Sequence, residues 1–138
     1  MDGKFTLVSR AANMAAKKGI LVVNAAGNEG DEHWTIIGAP ADADSVLTVG
    51  GINPWTGIHT KFSSYGPTSD GRLKPNVSAL AWVIAANKKN TLQEVQGTSF
   101  ASPLTAGFAA CVLQEFPKIK VMDLFKKIEQ SGHLYPYY

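Results

Sequence analysis

Cysteine is nearly missing from this 138-residue chain: Cys111 stands alone, so no intrachain disulfide can form. It lies in the apolar run Phe108-Ala109-Ala110-Cys111-Val112-Leu113, which predicts a buried, inert thiol. Charge is also scarce. Only 17% of residues are charged, and 13 basic against 11 acidic residues leave a formal charge of +2. That is too little to hold nucleic acid or an anionic membrane by electrostatics. Lys88-Lys89 and Lys126-Lys127 read as solvated surface pairs. No apolar run has the length of a membrane-crossing helix, and no repeat is present. His33 and His59 read as loop residues, and the chain offers no clustered ligand set for a metal. No cofactor is indicated. A hydrophobic content of 45% excludes disorder and predicts heavy burial. The length suits one domain with a real core.

What is present concentrates in two segments. The first is Gln96-Gly97-Thr98-Ser99-Phe100-Ala101-Ser102-Pro103, a glycine turn entering a long apolar helix. A serine at a helix start can point its hydroxyl into solvent, where the helix dipole favours negative charge. Gly97 allows a tight turn and close backbone approach. Pro103 reads as sitting near the first helical turn, where a missing N–H costs least. These are the requirements of a serine nucleophile. An ordinary N-cap by Thr98 or Ser99 fits the same residues.

The second segment is Ile20-Leu21-Val22-Val23-Asn24-Ala25-Ala26, read as a buried strand that runs into the turn Gly27-Asn28-Glu29-Gly30. Asn28 then lies at the carboxyl end of a strand, where open α/β sheets place their ligands. Its side-chain amide could donate to a developing oxyanion. A turn residue tolerant of left-handed backbone is the plainer alternative.

Taken together, Ala25-Ala26-Gly27-Asn28-Glu29-Gly30 and Gly97-Thr98-Ser99-Phe100-Ala101-Ser102-Pro103 resemble the oxyanion-asparagine and nucleophile-serine motifs of the subtilisin-like serine peptidases, the subtilases. Three intervening pieces fit in order. Gly38-Ala39-Pro40-Ala41 and the following Ser45–Gly50 stretch resemble the substrate-pocket turn and its strand. Phe62-Ser63-Ser64-Tyr65-Gly66-Pro67 and Leu73-Lys74-Pro75-Asn76-Val77 resemble two further family turns. The resemblance covers about residues 5 to 131.

The resemblance implies a three-layer, doubly wound, mostly parallel α/β fold. It implies a serine endopeptidase in which Ser99 attacks the peptide carbonyl and Asn28 holds the oxyanion. Ala25, Ala26, Gly27, Gly38, Ala39, Pro40, Gly97 and Thr98 would contact substrate. Subtilases carry their triad in the order Asp, His, Ser. Before Asn28 this chain has only Asp2 and no histidine. Residues 1–138 are therefore expected to be the carboxyl-terminal part of a catalytic domain, inactive alone and prone to self-association through the open face. The expected partner is a peptide or protein substrate. The family also implies a secreted or cell-envelope setting and possible structural calcium. Two departures stand out: Leu104 replaces a common histidine, and Asn76-Val77-Ser78-Ala79-Leu80-Ala81 replaces a more usual "DVxAPG". A noncatalytic scaffold is the alternative function.

A second catalytic order is also present in the chain. Ser99, Asp123 and His133 follow the α/β-hydrolase sequence order. On one helix, however, Asp123 and His133 would stand about 15 Å apart and could not touch. Asp123 is better read as an early-helix acid.

Patterning predicts a first helix carrying Phe5, Val8, Ala12 and Ala15 on one face and ended by Gly19. A buried strand is expected at Val46–Gly50 and a short one reaching Phe62. Ser63–Asn76 reads as a surface loop. Trp82–Ala86 and Thr91–Val95 read as a hairpin. Thr98–Glu115 reads as a central helix packed on several sides. Val121, Leu124, Phe125 and Ile128 stripe a last helix, and the Tyr135–Tyr138 tail has no obvious core face.

Overall fold

A computed structural model describes residues 2–33 and 36–132. Helix α1 spans Leu7–Lys17 and leads into strand β1, Val22–Ala25. Strands β2 (Val46–Ile52) and β3 (Val77–Leu80) complete a parallel sheet of order β1-β2-β3. Strands β4 (Trp82–Ala86) and β5 (Leu92–Gln96) form a separate antiparallel hairpin. Helices α2 (Thr98–Glu115) and α3 (Val121–Gln130) follow.

The register pairs Val22 with Val46 and Val49 with Val77. Central β2 is buried through Gly51, as a strand covered on both faces must be. Strand β1 is only half-buried, against expectation, because it has a partner on one side alone. Leu47 packs with Ala109, Leu124, Phe125 and Ile128, which places α2 and α3 on one face of the sheet. Val49, Ala81 and Ala101 form a second cluster nearer the start of α2.

Three expectations from patterning need correction. The Phe5–Ala15 face of α1 does not seat a core: Phe5 and Val8 are exposed, and polar groups moor the helix instead. The Ser9 hydroxyl donates to buried Asp42 at 2.8 Å, and Asn13 Oδ1 accepts from the Ser45 N–H at 3.2 Å. No strand reaches Phe62; a single bridge between Ile52 and His59 stands in its place. Ser63–Asn76 is not a surface loop throughout, since Ser63, Ser64, Thr68 and Lys74 are buried, and strand β3 begins directly after it. Its polar side chains are buried because they hold backbone groups. Ser63 Oγ accepts from Gly51 N–H at 2.9 Å.

Lys74 is 4% exposed, and its ammonium donates to Val46 O, Thr48 Oγ1 and Asn76 Oδ1 at 2.6, 3.0 and 2.8 Å. Burial pushes its pKa down from 10.5 to about 8, and the nearby Arg72 charge adds to the effect. Asn76 Nδ2 in turn donates to Glu129 of α3 at 2.7 Å.

Helix α2 packs on one side rather than several. Leu104 and Phe108 on its outer face are exposed, and so is Cys111, so the thiol is not buried as its apolar neighbours suggested. The last helix matches its stripe: Leu124, Phe125 and Ile128 are buried. Asp123 lies in its first turn as expected. His133 and the Tyr135–Tyr138 tail lie outside the described residues.

Candidate active site

Gly97 is the N-cap of α2, with φ +147°, a left-handed value that disfavours any side chain. Thr98 is therefore the first helical residue and no side chain caps the helix, which removes the plain N-cap reading of Thr98 or Ser99. Thr98 is fully buried, whereas Ser99 is exposed at the helix N-terminus. Pro103 sits inside the helix rather than in its first turn. It has no N–H for the carbonyl four residues before it, which is that of Ser99.

The strand-end turn meets this helix start. After β1, Ala26 N–H still bonds to Val49 O at 2.9 Å; the chain then turns at Gly27, with φ +118°. The exposed Asn28 side chain reaches Thr98: its Oδ1 accepts from Thr98 N–H at 2.9 Å and lies 2.9 Å from the Thr98 hydroxyl. That hydroxyl is also 3.1 Å from Gly27 O, so its one proton serves two acceptors. The backbone donor at Thr98 fixes which end of the carboxamide is oxygen. Nδ2 is thereby left, among the described residues, as the end without a hydrogen-bond partner, beside Gly97: a Cβ there would stand 3.5 Å from it. The Asn28 turn thus meets the start of α2 at Thr98, the residue before Ser99.

A second clamp holds the turn from behind. Ser64 N–H donates to Gly27 O at 2.9 Å, and Gly30 N–H donates to Phe62 O at 2.8 Å. Glu29 N–H donates to Ser64 Oγ at 3.2 Å, and Ser64 Oγ donates to Glu29 Oε2 at 2.9 Å. Gly30 lies so close to the Lys61–Ser63 backbone that a Cβ would strike the carbonyl oxygens of Ser63 and Lys61. The glycine is needed there for close approach.

A cavity of about 270 Å³ opens beside this turn. Ala25, Ala26, Gly27, Gly38 and Ala39, five of the residues expected to contact substrate, line it. Pro40 belongs to the same turn, its carbonyl accepting from Ala43 N–H at 3.0 Å, but is not on the wall. Asn24, Glu29 and Ile36 complete the lining and were missed. Adjacency to Asn28 was the available signal for Glu29; Asn24 carried one too, as a polar residue inside an apolar strand. A larger groove of about 770 Å³ lies at the other end of α2, between it and α3. Its wall includes Phe108, Val112, Phe116, Ile119 and Leu124, and none of the expected site residues.

A sequence model of the subtilase family, peptidase S8, matches residues 2–131. The chain belongs to the subtilase family. This subtilase chain is 34% identical over 128 residues to subtilisin DY of Bacillus licheniformis, an alignment covering 92% of the chain and 44% of that protein. Among solved structures, sphericase aligns with a TM-score of 0.74 at 26% identity, covering 88% of the chain and 42% of sphericase. The S41 psychrophilic protease also aligns at 0.74, with 28% identity over 94% of the chain and 45% of the protease. The subtilase chain thus spans less than half the length of each of these relatives. Its parallel sheet with packed helices is part of the subtilisin-like α/β fold. Among the described residues, no helix is long and apolar enough to cross a membrane.

Proposed function

We propose that this chain carries the nucleophile and oxyanion half of a serine endopeptidase site. Ser99 attacks the scissile carbonyl and forms an acyl-enzyme. The Asn28 Nδ2 and Ser99 N–H groups hold the oxyanion. One observation carries the reading: the Asn28 carboxamide is fixed by its oxygen on Thr98, directly before Ser99, with its donor end free. The base that takes the Ser99 proton comes from residues outside the described set, on the upstream part that longer subtilases possess. Residues 1–138 are then the carboxyl-terminal portion of the catalytic domain. The cavity walled by Ala25, Ala26, Gly27, Gly38 and Ala39 receives the substrate side chain before the cut, and Gly97 and Thr98 back the site. Small walls admit a large apolar side chain. The exposed Leu104, Phe108 and open β1 edge favour self-association of the isolated chain.

The test is a chromogenic peptide panel. The 138-residue chain alone should show no turnover above its Ser99→Ala variant, and Ser99-dependent turnover should appear once a subtilase segment supplying Asp and His is joined ahead of it. In that joined protein Asn28→Ala should lower kcat by roughly 10²–10³, the magnitude known for the oxyanion asparagine of subtilisin itself. Robust Ser99-dependent turnover by the chain alone would overturn the divided site and point back to His133. No turnover in the joined protein would favour a noncatalytic scaffold.

A further inference from the structure

An oxyanion donor works only if it is already in place when charge develops. Asn28 has little of its own to ensure that: it is exposed, on a turn, and follows a glycine. On the carboxamide itself, Thr98 pins only the oxygen. The backbone that carries Asn28 is held elsewhere, and a single buried residue contacts the residues on both sides of it.

The geometry points to Ser64 as a positioning residue for the Asn28 carboxamide, acting by clamping both neighbours of Asn28. This rests on the oxyanion reading above and deepens it. Ser64 is 0% exposed. On one side of Asn28 its N–H donates to Gly27 O at 2.9 Å. On the other, its hydroxyl accepts from Glu29 N–H at 3.2 Å and donates to Glu29 Oε2 at 2.9 Å. The hydroxyl proton is used, and so is a lone pair. The Gly27 carbonyl held by Ser64 is also the one within reach of the Thr98 hydroxyl. The Gly27 α-carbon sits directly over the serine, since a Cβ there would come within 2.6 Å of Ser64 Oγ. The turn is thus gripped from the front by Thr98 and from behind by Ser64. Glu29 takes part as an acceptor, so its carboxylate is oriented by the same hydroxyl.

Side-chain NMR on the full chain tests this. The Asn28 carboxamide pair is assigned by its loss in Asn28→Asp. Asn76, whose Nδ2 donates to Glu129 of α3 at 2.7 Å, serves as internal reference. In the unaltered chain the Asn28 order parameter should be backbone-like, about 0.85, and in Ser64→Ala it should fall below about 0.6 while Asn76 stays unchanged. Glu29→Gln retains an acceptor and should leave Asn28 ordered; Glu29→Ala should loosen it. The idea is overturned if Asn28 stays rigid in Ser64→Ala, or if Asn28 and Asn76 loosen together, which would mean plain destabilisation. If Ser64→Ala does not fold, Glu29→Ala decides: a loosened Asn28 supports the clamp and a rigid one overturns it. No turnover is read, so failure here is distinct from failure of the oxyanion reading, which Asn28→Ala kinetics reports.

Discussion

The two ends of helix α2 differ in what surrounds them. At its start, a cavity of about 270 Å³ adjoins a turn held by hydrogen bonds among Gly27–Gly30, Phe62, Ser64 and Thr98. At its end, a groove of about 770 Å³ is walled largely by Phe108, Val112, Phe116, Ile119 and Leu124. The larger space has apolar walls; the smaller adjoins a turn tied by hydrogen bonds to the start of α2. Chemistry follows convergence of fixed polar groups rather than volume, because only groups already oriented can favour a charge as it forms.

The sharpest way to break the contrast is to exchange the two kinds of damage. Ser99→Ala, in the joined protein, should reduce turnover to background while moving unfolding free energy by no more than about 0.5 kcal/mol, as expected for an exposed side chain. Peptide hydrolysis and a denaturant curve measure the two. Leu124→Ala at the far end should do the reverse. Leu124 is 1% exposed in the cluster beneath α2, so its truncation should cost about 2–5 kcal/mol in urea unfolding. Turnover per folded molecule should stay within about twofold of the parent, by the independence of distant sites.

The buried ammonium of Lys74 gives a subtler handle through its partners on β2. Lys74 titrates near 8 when folded and at 10.5 when free. Below pH 8 both states are protonated, and burying the charge costs stability. Between pH 8 and 10.5 the folded chain releases a proton that the unfolded chain keeps, so stability rises with pH across that window. Unfolding midpoints at pH 7.5 and 10 should show the increase, and Lys74→Met should remove this contribution. A contribution of opposite sign would contradict the burial argument. The smallest effect belongs to Cys111. Exposed on the outer face of α2, it should react with a maleimide in the folded chain, and Cys111→Ser should shift stability by less than about 0.5 kcal/mol.

How much was legible in advance depended on whether the cause was local. Alternation and turn residues located the β4–β5 hairpin within a residue, and the Val121–Ile128 stripe located α3 and its buried side. The Gly27-Asn28 turn and the Gly97-Thr98-Ser99 helix start were legible as motifs, and the structure brings them together. The failures came where a distant partner decides the outcome. The burial of β1, of α2's outer face and of Cys111 depends on which surfaces have neighbours, which apolar composition does not reveal. Ser63, Ser64 and Lys74 were read as surface loop because small polar residues and a lysine suggest solvent. They are buried because backbone groups of Gly51, Glu29 and Val46 need those partners. Strand β3 was missed for the same reason, since only its register on β2 makes Val77–Leu80 a strand.

The bond from Thr98 N–H to Asn28 Oδ1 joins positions 70 apart in the chain. Such a link sets an order of events during synthesis. A nascent polypeptide that has emerged only as far as Gly97 can already hold Gly27 to Ser64, whose bond spans a shorter stretch, but it has no anchor for the carboxamide oxygen. Closing the longer loop adds little free-energy cost, since that cost grows only with the logarithm of length, yet such distant pairing slows assembly. The rear grip on the turn can thus precede the front one, and Ser99 arrives with the very segment that completes it.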